Sequence, residues 1–283
     1  MAESSGKVCL ITGATSGIGA AAALAAARSG GTVVIVGRKE RKCIQQVNKI
    51  RRTVPGAHAD YLVADLSSRQ QVRDLASQFI ARYPRLDILI NNAGAYFGKR
   101  ELSVDGLEMN FALNHMAYFL LTNLLLGRLN EAPSGRIVVV SSGAHANGKI
   151  DYEDLQTERD YSLGKAYARS KLANVLFTYA LARRLENTHV TVNALHPGLV
   201  ATNLGSNNSW LRTKLRNLLK RQMLTPEAGA KTIVFLALSE EVKNVSGKYY
   251  YECKAIPSSK DSYNEADQER LWQMSERLAG LVH

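Results

Sequence analysis

The chain has 283 residues, of which 46% are hydrophobic and 22% charged, enough for one large globular domain or at most two small ones. No run of about 18 apolar residues occurs, so a membrane-spanning helix is not expected. The formal charge of +11 permits a nucleic-acid partner, but the positive residues gather in 37–52 and 211–222 without the aromatics that stack bases, and nucleic acid is set aside.

The opening "MAESSGKVCLITG" lacks a basic segment followed by an apolar stretch and does not read as a signal peptide. It leads into the first of six short, β-branched, nearly all-apolar runs, at 7–12, 32–37, 60–65, 86–91, 136–141 and 189–195. Strands buried on both faces of a parallel sheet have this character. Segments of helical period lie between them, among them 17–29, 39–52, 68–82 and 102–130. The alternation implies an α/β fold with a Rossmann-type, doubly wound parallel sheet. Six prolines, no Gly/Ser-rich linker and no internal repeat leave no domain boundary, so 1–283 is expected to form a single domain. Cys9, Cys43 and Cys253 have no ligand-like spacing and read as reduced thiols of a cytoplasmic protein, with no metal expected.

The first run turns through "TGATSGIG" (12–19) into "AAAALAAARS", a strong helix former. Gly13 permits the tight turn, Gly17 lets a phosphate approach the backbone, and Gly19 lets helix and strand pack closely. The helix N-terminus offers free amides and a positive dipole end to a pyrophosphate. With a strand before it and a helix after it, the turn reads as a dinucleotide site. The second run ends in Gly37 and Arg38, followed by Lys39, where an acid would hold the ribose hydroxyls of the non-phosphorylated cofactor. A guanidinium instead grips a 2′-phosphate with charge-assisted bonds, so NADP is expected over NAD.

Tyrosine and lysine stand four residues apart three times. Tyr250 and Lys254 lie in "GKYYYECK", which reads as a strand and would hold them about 13 Å apart. Tyr161 and Lys165 span Gly164 ahead of any sustained helical pattern, as a surface pair would. Tyr167 and Lys171 lead a helix that packs through Leu172, Val175, Leu176 and Tyr179, and they share one of its faces. A cation about 4 Å away, at an effective dielectric near 20, would favour a phenolate by up to about 4 kcal/mol. That could bring a tyrosine from its usual value of about 10 towards neutrality. Tyr167 is therefore expected to be the acid.

These residues resemble the short-chain dehydrogenase/reductase family. The TGxxxGIG turn, "NNAG" at 91–94, the serines 141–142, the Tyr-x-x-x-Lys pair and "HPGLVAT" at 196–202 occur in the family's order over about residues 6 to 254. "SSGAH", "YARSKLANVLFTYALARRL" and "ERLWQMSERLAGL" resemble its retinol dehydrogenase-like branch. The resemblance implies that Ser142, rather than Ser141, hydrogen-bonds a substrate carbonyl while Tyr167 protonates its oxygen. Lys171 would lower the pKa of Tyr167 and hold the nicotinamide ribose, and Asn114 would order a water in a proton relay. The cofactor would be lined by Gly13, Thr15, Ser16, Gly17, Ile18, Gly19, Arg38, Lys39, Asp65 (at the adenine), Leu66, Asn92, Ala93, Gly94, Tyr167, Lys171, Pro197, Gly198, Val200 and Thr202. His145 and His196 sit where the family places non-catalytic residues and read as structural. Ser142 and Tyr167 are 25 residues apart, and the segment between them resembles an insertion of the branch, which leaves the wall of the substrate site open.

The activity so implied is NADPH-dependent interconversion of a hydrophobic aldehyde or ketone with its alcohol. The alternative is an NADP-binding sensor or scaffold without turnover. A substrate lid is expected at about 199–225 and a C-terminal extension at about 255–283. Within the lid, Trp210, Leu211, Leu215, Leu218, Leu219 and Leu224 recur at helical spacing among Arg212, Lys214, Arg216, Lys220 and Arg221. The segment 210–224 reads either as a lid packed on the core or as a basic amphipathic helix on an anionic membrane. The first strand begins near residue 7, with no room for an N-terminal anchor. Residues 111–130 are apolar on more than one face, from which, with the resemblance, a homodimer is expected.

Overall fold

A computed structural model describes residues 6–200 and 223–281. Thr202, and all of 210–224 except its last two residues, lie outside the described residues.

Each expected apolar run is a strand: β1 (Val8–Thr12), β2 (Thr32–Gly37), β3 (Ala59–Val63), β4 (Ile88–Asn91), β5 (Arg136–Val140) and β6 (Thr191–Leu195). Between them run α1 (Gly17–Arg28), α2 (Glu40–Thr53), α3 (Arg69–Arg82), the short α4 (Met109–Phe111), α5 (Ala117–Asn130) and α6 (Leu163–Arg184). After β6 come α7 (Pro226–Leu238), β7 (Lys248–Tyr251), β8 (Lys254–Ile256) and α8 (Glu265–Ala279). The eight strands form one sheet in the order β3-β2-β1-β4-β5-β6-β7-β8, parallel up to β7. Strand order reverses between β1 and β4, and at such a switch the loops leaving the carboxyl ends part to make a crevice. Strand residues alternate between two cores, one under each layer of helices. Leu10, Val34, Val36 and Leu89 pack with α3, α5, α6 and α8. Ile11, Val33, Ile35 and Ile90 pack with α1, α2 and α7.

Three expectations from the sequence are corrected. The helix expected at 102–130 begins only at Met109. Asp105 and Gly106 (φ +76°) turn the chain there, Leu102 bridges Glu108, and the buried Glu108 carboxylate accepts from the Asn110 and Phe111 amides to start the helix. A single π-turn, Ala112–Met116, then joins α4 to α5. "GKYYYECK" is a hairpin and not one strand: Glu252 (φ +47°) and Cys253 (φ +62°) reverse the chain so that β8 pairs antiparallel with β7. The second apolar face of 111–130 is covered from within the chain. Trp272 of α8 lies 4.9 Å from the Phe119 ring and 5.9 Å from that of Phe177. That cover removes the packing argument for a dimer.

Candidate active site

The loops after β1, β4, β5 and β6 converge at the carboxyl edge of the sheet. Gly13, at φ +65°, has its Cα so near Ala93 that a Cβ would stand 2.7 Å from the Ala93 Cα. Only glycine closes these two loops together. The Thr12 hydroxyl accepts from the Asn92 and Ala93 amides at 2.9 and 3.0 Å, and Asn92 donates to Thr12 O at 2.8 Å. A Cβ on Gly19 would strike that carboxamide at 2.4 Å. Gly17 (φ +59°) opens α1, whose N-cap Ser16 makes no side-chain cap and whose first turn holds no acid. The free amides and dipole end suit a pyrophosphate. Thr15 packs over bare Gly37, and Ile18 and Val200 meet over Gly229 of α7.

Arg38 and Lys39 are exposed at the end of β2, and their side chains make no hydrogen bond or ion pair among the described residues. Asp65 accepts from the Ser67 amide and hydroxyl at 3.0 and 2.7 Å, which leaves its second oxygen available. Leu66 departs from a side-chain role: it is 5% exposed and packs in the core, so only its backbone can face a ligand. The Asn92 Oδ1 is buried and has no partner among the described residues. An uncapped helix start, a glycine cradle, an orphaned acceptor and two free cations together fit a phosphorylated dinucleotide.

Tyr167 and Lys171 face the crevice from α6, at 9% and 3% exposure. The lysine Nζ lies 5.7 Å from the centre of the Tyr167 ring and donates to Val140 O at 3.0 Å. Gly94 leaves room for it: a Cβ there would stand 3.2 Å from Asn114 Oδ1 and 3.6 Å from the Nζ. The two serines part company, because Ser141 donates to Lys171 O at 2.8 Å and pins strand to helix. The Ser142 side chain instead interacts with Tyr167. Asn114, in the π-turn, accepts from the Ala95 amide at 2.9 Å and donates to Ala95 O and Ser170 Oγ at 3.0 and 3.1 Å.

The electrostatics depart from the sequence argument. Burial pushes Tyr167 up to about 12, opposed by the Ser142 hydrogen bond, and burial brings Lys171 down to about 7. Desolvation outweighs the attraction because the lysine points at a carbonyl rather than at the phenol oxygen. The pair is therefore a protonated phenol beside an amine poised for proton exchange near neutral pH.

The wall between Ser142 and Tyr167 is held by a residue the sequence reading passed over. Arg169 is 9% exposed and donates to Lys149 O at 3.1 Å, to Leu155 O at 3.2 Å, to the Thr157 hydroxyl at 3.0 Å and to Asp154 O. An arginine among small helix residues carried no signal beyond its position. Tyr96, also missed, meets Tyr167 edge-on, with ring centres 4.7 Å apart. Both histidines take structural partners. His145 contacts Ser142 O at 2.8 Å through Nδ1 and accepts from the Ser259 amide at 3.1 Å, and His196 stacks on Tyr251 at 4.1 Å. Pro197 and Gly198 (φ +79°) bring the chain to Leu199 and Val200, the last described residues before 201–222. There Val200 bridges Leu224, and Leu224 donates to Leu199 O at 2.8 Å.

A family model described as short chain dehydrogenase matches residues 7–211. Retinol dehydrogenase 14 of Mus musculus is 42% identical over 290 residues, a match covering 98% of this chain and 87% of the relative. The crystal structure of a protein from Mycobacterium paratuberculosis superposes with a TM-score of 0.80 at 32% identity, covering 98% of this chain and 94% of the other. A short chain dehydrogenase from Shigella flexneri, complexed with NADP, gives a TM-score of 0.69 at 25% identity over 87% of this chain and 96% of its own.

Proposed function

Because the chain belongs to the short-chain dehydrogenase family and to its retinol dehydrogenase-like branch, we propose that it is an NADPH-dependent oxidoreductase interconverting a hydrophobic aldehyde or ketone with its alcohol. The observation that carries this reading is the buried Tyr167–Lys171 pair, with Ser142 against the phenol, beside a glycine turn that fits a dinucleotide. When bound, the cofactor supplies the hydride. Gly13, Thr15, Ser16, Gly17, Ile18 and Gly19 would hold its phosphates, Asp65 and the Leu66 backbone its adenine, and Asn92, Ala93, Gly94, Pro197, Gly198 and Val200 its remaining length.

Ser142 donates to the carbonyl oxygen and orients it. Tyr167 gives that oxygen its proton and takes one back from Lys171, which recovers its own from solvent. Each reduction thus consumes one proton. The sensor reading is not favoured, since the full set of acid, orienting serine and lysine is in place.

Arg38 and Lys39 support NADP as the cofactor, because free cations at the end of β2 suit a 2′-phosphate. An apolar substrate is supported by Tyr96 beside the acid and by Leu199 and Leu224 at the lid stem, 52% and 37% exposed. Purified protein mixed with NADPH and a panel of long-chain, aromatic and sugar aldehydes tests the whole. Oxidation of NADPH by the apolar aldehydes is expected; oxidation by none of them would overturn the reading. NADH should serve poorly, and Arg38→Asp should weaken or reverse that preference.

For localisation we propose a cytoplasmic enzyme with peripheral contact to anionic membrane through 210–224. Among the described residues no helix is long and apolar enough to cross a membrane. Sedimentation with anionic liposomes at low and high salt decides the contact. The homodimer now rests on the family alone, and light scattering at micromolar concentration decides between one chain and two.

A further inference from the structure

Beside the proposed acid lies a tyrosine that no motif points to. Tyr118, on α5 one turn beyond Asn114, is 1% exposed, and its hydroxyl is buried without a hydrogen-bond partner among the described residues. A buried hydroxyl left unpaired costs about 1–3 kcal/mol, and native proteins satisfy nearly all such groups with protein or water. The Lys171 Nζ stands 5.8 Å from the centre of the Tyr118 ring. Val140 O is the one hydrogen-bond acceptor of that Nζ among the described residues, whereas an ammonium carries three donors.

The Asn114 side chain is already committed, while its backbone carbonyl keeps a second lone pair. Its carboxamide is spent on Ala95 and Ser170, and its backbone carbonyl accepts from Asn174 Nδ2 at 2.8 Å. Asn174 in turn contacts His115, which reaches Ser275 of α8 at 3.0 Å. These bonds lock the π-turn. Among the described residues, the polar groups left open in this part of the core include the Tyr118 hydroxyl, the Asn91 Oδ1 and the Lys171 ammonium.

We infer that Tyr118 is a positioning residue: its hydroxyl and the Lys171 ammonium share one buried water, through which Lys171 recovers the proton it gives up in each reduction. This rests on the oxidoreductase reading above. The proton balance is simple. The Tyr167 O–H breaks towards the substrate oxygen, a Lys171 N–H breaks towards the phenolate, and the amine takes a proton from the water, which solvent replaces. The electron pair comes from NADPH as hydride. A lysine brought to about 7 by burial makes the last transfer nearly level in energy at neutral pH.

Two measurements test this. A crystal structure of the full chain should place an ordered water within about 2.7–3.2 Å of both Tyr118 Oη and Lys171 Nζ, and that of Tyr118→Phe should lack it. In kinetics, Tyr118→Phe should lower kcat for reduction about tenfold, with KM for NADPH unchanged and the basic limb of the pH profile moved, a smaller effect than removal of the acid itself. A merely structural hydroxyl gives the opposite pattern: phenylalanine relieves an unpaired group, so melting temperature holds or rises while kcat and its pH profile stay put. That pattern, or the absence of the shared water, would overturn the inference. If unmutated protein reduces no carbonyl, the oxidoreductase reading fails and the relay with it, while the crystal structures still decide whether Tyr118 and Lys171 share a water.

Discussion

Tyr161 with Lys165 and Tyr167 with Lys171 offer the same spacing on one stretch of chain, and the fold treats them in opposite ways. Lys165 points outward, its side chain 60% exposed and paired with Asp160. Tyr161 is a strut: it donates to Phe97 O at 2.6 Å and accepts from Asn110 Nδ2 at 3.1 Å. Tyr167 and Lys171 are both buried. Burial raises both tyrosines to about 12; after it, the Glu108 carboxylate pushes Tyr161 further, whereas Ser142 eases Tyr167 back. Spacing places two groups on one helical face. Cover and neighbours decide whether they can exchange a proton.

The comparison breaks most sharply at the phenol oxygen. Tyr167→Phe is expected to cut kcat/KM for carbonyl reduction by at least about 10², while thermal unfolding changes little. Tyr161→Phe should leave the same rate within twofold; the reverse result would exchange the roles of the two pairs. The lysines give the next largest effect. Reduction needs Lys171 charged, and a group at about 7 keeps its proton below that pH. The reduction rate should therefore fall as pH rises through about 7, by up to about tenfold per unit, and alcohol oxidation should rise over the same range. Profiles measured in both directions check the sign, and a flat profile between pH 6 and 8 would remove Lys171 from the step. The smallest effects sharpen the structural side. Tyr161→Phe leaves Phe97 O without its donor and should cost about 1 kcal/mol in denaturant unfolding. Lys165→Met should stay below about 0.5 kcal/mol, as exposed pairs do.

Much of this contrast was legible before any fold was known. The sheet was readable because parallel strands buried on both faces leave unbroken β-branched runs, and the glycine turn because its neighbours in sequence are its neighbours in space. The pair could be chosen because helical period is a local property. What escaped was set by contacts distant in sequence or by unusual backbone. Trp272 covers Phe119 from about 150 positions away, and such cover leaves no trace in the helix it covers. The hairpin at Glu252 and Cys253 uses positive φ without the Asn-Gly or Gly that announces one. The segment 102–130 read as helical throughout, yet Asp105 and Gly106 turn the chain ahead of Met109. The direction of the Tyr167 shift escaped because helical spacing fixes the distance to Lys171 but says nothing of burial, which dominates. Tyr118 carried no signal at all, since an unpaired hydroxyl is visible only once every neighbour is placed.

The clasp between Val200 and Leu224 has a consequence for how such an enzyme can change. Val200 pairs with Leu224 and Leu199 accepts from the Leu224 amide, so residues 201–222 leave and return at adjoining points beside α7. Once both ends of a loop are fastened, doubling its length adds only about 0.6 kcal/mol of closure entropy. The sheet and the proton-handling residues would scarcely register an exchange of everything between the two clasps. Transplanting that span between relatives, cut at Val200 and Leu224, should therefore move substrate preference as a module while the scaffold melts where it did before.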